Sequence, residues 1–241
     1  MSTRRPQSVP TFLALALGLA LTLVAPAALA QGCTTQGSPT TGMALPPPCP
    51  YLSPNDVHAV EDPVQQAAIL ARPIHQFFVC HRSPGSTGND CRKPGGTLGG
   101  DVEEFSSEVV LELTGTGTLS GYQRTITIPN VAVEVHTSKQ TPGATQQSLA
   151  TDMVRIQGTL PAGDPDFARF EIVGGTFNGQ PSPGHTVGTF TGRDWKVDSQ
   201  FEVGYTIEFV GAPGGKLAGY KGVTSKVTRM RAGEPQPSSG Q

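Results

Sequence analysis

Glu202 and Glu208 are the first residues to test for chemistry, because paired carboxylates can act as acid and base on a glycosidic bond. They share one parity of the stretch Val197–Val210, VDSQFEVGYTIEFV. Such a pair works at separations of about 5–10 Å. In an extended chain the interval between these two spans roughly 20 Å, so one strand alone cannot bring them to a common bond. Trp195, just before that stretch, is the only tryptophan and could stack on a sugar ring if it were exposed. His136 follows Val131, Val133 and Val135 on the opposite, polar parity, beside Glu134. Trp195, Glu202, Glu208 and His136 are therefore the candidate ligand-face residues.

Other constellations are weaker. The histidines are His58, His75, His81, His136 and His185, and none pairs with another at metal-ligand spacing. Asp164 and Asp166 put two carboxylates in one short segment, GDPD, which suits either calcium or an ordinary turn. Ser182, His185 and Asp194 could be drawn as a triad, but nothing in their spacing brings them together. The chain contains no GxSxG, HExxH, phosphate-binding loop or dinucleotide fingerprint. No catalytic residue, cofactor or metal is assigned. The leading expectation is a non-catalytic structural or binding module. A β-barrel lined for a small apolar ligand is the first alternative, and a hydrolase with its site assembled from separate strands is the second.

The elements that would position these residues are strands. Phe201, Val203, Tyr205, Ile207 and Phe209 alternate with Gln200, Glu202, Gly204, Thr206 and Glu208, which gives one apolar and one polar face. Further alternating runs lie at Val109–Leu113, Gly121–Ile128, Val131–His136, Met153–Leu160, Phe167–Val173, His185–Phe190 and Tyr220–Met230. Turn residues separate them, with Pro129-Asn130 expected to stop one strand. Such spacing without helical crossovers predicts an all-β fold, a single antiparallel sandwich or barrel of about 8–9 strands. This domain is expected over 101–231, followed by a disordered tail, 232–241.

The region 31–100 reads differently. Residues 31–56 carry Pro46-Pro47-Pro48 and predict an irregular arm. Asp62-Pro63 followed by Val64, Ala67, Ala68 and Ala71 predicts one short helix. Residues 80–100 form a turn-rich linker with His81, Arg82, Arg92 and Lys93, read as a solvated loop or an anion site. Cys33, Cys49, Cys80 and Cys91 are the four cysteines. Three pairings are open, and the short turn-rich intervals favour Cys33–Cys49 with Cys80–Cys91.

Residues 1–30 predict a secretory signal: Arg4-Arg5, then an apolar run over Thr11–Val24, then Ala28-Leu29-Ala30 before the cleavage point. Export to the periplasm or beyond is expected, without a membrane span. Lipidation at Cys33 is disfavoured by Gln31. Losing the two leader arginines takes the formal charge of −2 to −4, a balance that argues against nucleic acid as partner. An extracellular glycan, a protein or a small apolar ligand remains as partner class.

The segment VDSQFEVGYTIEFVGAPGGKLAGYKG, with the Gly/Thr-rich strands of 101–230, resembles uncharacterised secreted bacterial proteins, some of which carry a hydrophobic surface-sorting tail. The resemblance implies an exported all-β domain and carries no catalytic residue. The polar C-terminus, GEPQPSSGQ, departs from that tail.

Overall fold

A computed structural model describes residues 32–53, 56–81 and 90–233. The predicted signal peptide, Arg82 and nearly all of the tail lie outside them. The chain is all-β and antiparallel. Short strands come first: β1 (Cys33–Thr35), β2 (Gly37–Ser38), β3 (Gly42–Met43), β4 (Tyr51–Leu52) and β5 (His58–Asp62). The long ones follow, β6 (Ala67–Cys80), then the short β7 (Arg92–Pro94), then β8 (Gly99–Gly117), β9 (Gln123–Ser138) and β10 (Gln146–Thr159). The chain closes with β11 (Phe167–Gly174), β12 (Pro183–Phe190), β13 (Trp195–Gly211) and β14 (Lys221–Ala232).

All but β2 and β3 belong to one 12-stranded sheet, more strands than the 8–9 expected. The excess comes from the region before residue 99, which adds β1, β4, β5, β6 and β7 to the sheet. Further along, two strands share one place. β12 pairs with the first half of β10 and of β13, while β11 pairs with their second halves. Pairing runs from β8 through β9, β10, β11 and β13 to β14. From β14 it passes through β4 to β6, and β6 pairs with β8 along most of its length.

Burial on β13 follows the alternation read from the sequence. Phe201, Val203, Tyr205, Ile207 and Phe209 are buried, with Trp195, Val197 and Ser199 on the same face. They join Phe105, Val109, Leu111 and Leu113 of β8 and Val131, Val133 and Val135 of β9 on the inward side. Fully burying each large apolar side chain is worth about 1.5–3 kcal/mol, and this face is the core.

Two local expectations are overturned. The described residues contain no α-helix; the only helical turn is a 3₁₀ turn at Thr176–Asn178. The predicted helix is the β5–β6 hairpin. Asp62 does cap, but it caps a turn: its Oδ1 accepts the N–H groups of Val64 and Gln65 at 3.1 Å each. Ala67, Ile69 and Ala71 then alternate into the core. Alanine fits either period, and pairing with β8 decides for the strand. Likewise Pro129-Asn130 does not end a strand. β9 runs through it, with Asn130 at φ 53° and a register shift opposite, between Ser107 and Val109 of β8, as in a β-bulge.

The cysteines pair as expected, Cys33–Cys49 and Cys80–Cys91. The arm they tie is less irregular than predicted. β1 pairs with β13 and β4 joins β14 to β6, so the arm is part of the sheet rather than draped on it. Among the described residues no helix is long and apolar enough to cross a membrane.

Candidate functional site

Under the disulfide-tied arm the core departs from hydrocarbon. The arm crosses one end of the molecule as a strap, residues 43–47, all buried. Met43 and Leu45 pack with Leu149, Trp195 and Val197. Backbone bonds lock the strap in place. Cys91 N–H donates to the Leu45 carbonyl at 2.8 Å, and Ala44 N–H to the Gln36 carbonyl at 2.8 Å. The side chain of Gln140 receives Met43 N–H at 2.7 Å and donates to the Met43 carbonyl at 3.0 Å.

Beneath Leu45, Pro46 and Pro47 lies a chamber walled by Tyr51, Phe78, Phe105, Phe201, Val203 and Met230, among others. The rings pack edge to face: Phe78 stands 5.4 Å from Phe105 and 5.9 Å from Tyr51, centroid to centroid. The crevices among the walls, mouth included, total about 450 Å³. The part wide enough for the centre of a water molecule is about 20 Å³, the room that one water needs. Two of the wall residues are Met153 and Met230, unbranched side chains that repack at low cost.

Six polar residues line this space. Tyr51 donates to Ser199 Oγ at 2.8 Å, and Ser199 shares a 2.7 Å bond with Thr186. His75 is bonded to Ser107 through Nε2; burial holds its ring down at about 4, so it is neutral at pH 7. Thr151 Oγ1 is buried and has no partner among the described residues.

The last is Glu103. It stands on the inward parity of β8, two residues before Phe105, and is 3% exposed. No hydrogen bond holds its carboxyl group among the described residues. Its cross-strand neighbour is Arg92 of β7, but that guanidinium is committed to Asp90, with Nε 2.8 Å from Oδ1 and Nη2 2.6 Å from Oδ2. Burial, reinforced by the negative charge of Asp90, pushes Glu103 up to about 8 against the weaker pull of Arg92. At neutral pH it is a protonated acid facing an apolar chamber. Burial likewise holds Tyr51 well above the usual phenol range.

The residues singled out from sequence are scattered. Trp195 is fully buried under the strap, so its face cannot meet a sugar; it seals one end of the core. His136 is 7% exposed and both ring nitrogens are engaged. Thr97 N–H donates to Nδ1 at 3.1 Å, which leaves the proton on Nε2 for Glu134 at 3.0 Å. Glu208 pairs with Arg169. Glu202 pairs with Arg229 at 3.2 Å, beside an open outer groove of about 350 Å³ that also borders His185 and Gln200.

The triad residues do not meet. Ser182 is bonded to Gln180 and Gly204, and His185 to Ser148. Asp164 and Asp166 are held by Arg124, at 2.7 and 3.0 Å from its Nη1, which answers their charge as a cation would. Among the described residues no group of three or more potential metal ligands converges. The described basic residues of the 80–100 segment are also spoken for: Lys93 by Glu104, Arg92 by Asp90 and His81 by Ser106.

Glu103 and the strap were missed by the sequence reading. The signal for Glu103 was present: it continues the parity of Leu113, Leu111, Val109 and Phe105. Comparison of the chain with protein-family models, with characterised proteins and with solved structures finds no match.

Proposed function

We propose that the chain is an exported, non-catalytic binding module whose strands close into a barrel and whose interior takes up a small apolar ligand beneath the strap. The observation that carries this reading is the pairing of an apolar chamber with two buried polar groups, Glu103 and Thr151, that have no hydrogen-bond partner among the described residues. Buried polar groups are ordinarily satisfied by protein or by water, and in an apolar chamber an unsatisfied pair is where a ligand's polar atom would bond. The circuit of strand pairing from β8 round to β6 supports the barrel, and the two disulfides support an oxidising destination. The cramped interior implies that binding shifts Met153, Met230 or the strap.

The test is titration with N-phenyl-1-naphthylamine, a neutral apolar fluorophore. Saturable one-site enhancement, lost on unfolding in urea and weakened by Met230→Trp, is expected. A linear response, or none, overturns the interior site.

A second reading places the ligand on the outer face of β12–β14, in the groove beside Glu202 and Arg229. A soluble glycan that shifts the amide resonances of Gln200 and Glu202, without touching those of Phe105, would favour it.

A further inference from the structure

Resting on the interior site proposed above, we infer that its ligand is an uncharged molecule carrying a carbonyl or ether oxygen, and that the Glu103 carboxyl O–H donates to that oxygen. The argument is one of elimination among the groups on the chamber wall. Tyr51, Ser199 and Thr186 are bonded in a chain, and His75 is bonded to Ser107 through Nε2. Glu103 and Thr151 are the polar residues of the wall whose side chains have no hydrogen-bond partner among the described residues. The rest of the wall is Phe105, Phe201, Val203, Leu45 and Met230, which favours a ligand that is mostly hydrocarbon.

Charge narrows the class. An anionic ligand would meet Asp90 and Asp101 near Glu103, with Arg92 already bound to Asp90 and 3.9 Å from Asp101. An ammonium would have to take the proton from Glu103 and enter an apolar space as half of a buried ion pair, at the desolvation cost of both charges. A neutral oxygen needs one donor, and a protonated carboxyl has one to give. The titratable and charged groups around Glu103 are Asp90, Arg92, Asp101, Tyr51 and His75. Of these, His75 and Tyr51 keep one protonation state between pH 5 and 9, His75 neutral and Tyr51 still a phenol.

Three matched probes test this by ¹⁹F NMR titration of the full-length exported chain: 4-fluoroacetophenone, 1-ethyl-4-fluorobenzene and 4-fluoro-α-methylbenzylamine. The ketone is expected to bind about five- to tenfold tighter than the ethylbenzene at pH 6, the worth of one hydrogen bond. That preference should fade as pH rises through about 8, where Glu103 loses its proton. In Glu103→Gln, which keeps a neutral donor, the preference should persist at all pH values. In Glu103→Leu it should vanish while the ethylbenzene still binds. Equal binding of ketone and ethylbenzene by the wild type overturns the inference and leaves the apolar site standing. Tighter binding of the amine overturns it in favour of a cationic ligand. Binding of no probe at all overturns the interior site itself.

Discussion

Replacing Glu103 by glutamine should stabilise the protein, and by an amount that depends on pH. In the fold the carboxyl group titrates at about 8, against an ordinary value of 4.5. The folded state therefore binds the proton more tightly than the unfolded state does. The sign follows from linkage: the Glu103 contribution is most favourable below pH 4.5 and falls as pH rises from there through 8. At pH 7 the unfolded glutamate is ionised and must regain a proton on folding. The difference of about 2.5 pH units from 4.5 corresponds to about 3 kcal/mol. Glutamine is neutral at every pH and never incurs this cost. Urea unfolding with disulfides intact, at pH 4.5 and at pH 7, isolates the effect, because all other groups titrate alike in both proteins. Glu103→Gln is expected to match the wild type at the lower pH and to exceed it by about 2–3 kcal/mol at pH 7. A difference between the two proteins that does not change with pH refutes the assignment of a buried, raised carboxyl at 103.

Two further outcomes follow from the strap. A Cβ on Gly188 would fall 1.9 Å from Met43 Sδ, so Gly188→Ala should lever Met43 off β12; a loss of about 1–3 kcal/mol in urea unfolding and faster amide exchange at Ala44 and Cys91 are expected, and unchanged exchange there would count against the strap's placement. Trp195 is the sole tryptophan and fully buried, so its fluorescence should be blue-shifted and shielded from acrylamide in the folded state; ready quenching would show that the strap does not cover it.

How much of this was legible beforehand depends on whether the deciding interaction was local. The inward row Phe201–Phe209 could be read because five large residues of one parity leave no other way to bury them. The hairpin at Asp62–Ala71 could not, since alanine and an Asp-Pro cap are equally at home in a helix, and only the long partner β8 selects the extended form. Pro129-Asn130 looked like a stop for the same reason: a bulge is visible only once the register of β8 is known. The disulfides were readable from short turn-rich intervals, whereas the strap they hold was not. Its burial depends on Gln140 and Trp195, each about 100 residues or more away in the chain.

Glu103 shows most directly why the site itself stayed hidden. Its parity places it inward, but polarity argued it outward, and a reader of sequence sides with polarity at the end of a strand. The fold overrules this because β7 pairs with that end of β8, and because Asp90 takes the cation in register, Arg92. The result is a carboxyl group whose folding cost at neutral pH is about 3 kcal/mol, a large share of the 5–15 kcal/mol by which domains are ordinarily stable. A leucine at this position would remove that cost and fit the wall. Among the described residues no hydrogen bond offsets it, and Arg92, bound to Asp90, offsets it only in part. A ligand oxygen bonded to that O–H would return part of the deficit, and it would do so only in the bound state. That asymmetry is what separates a binding group from a structural one, and it makes Glu103 the residue at which stability and affinity should move in opposite directions.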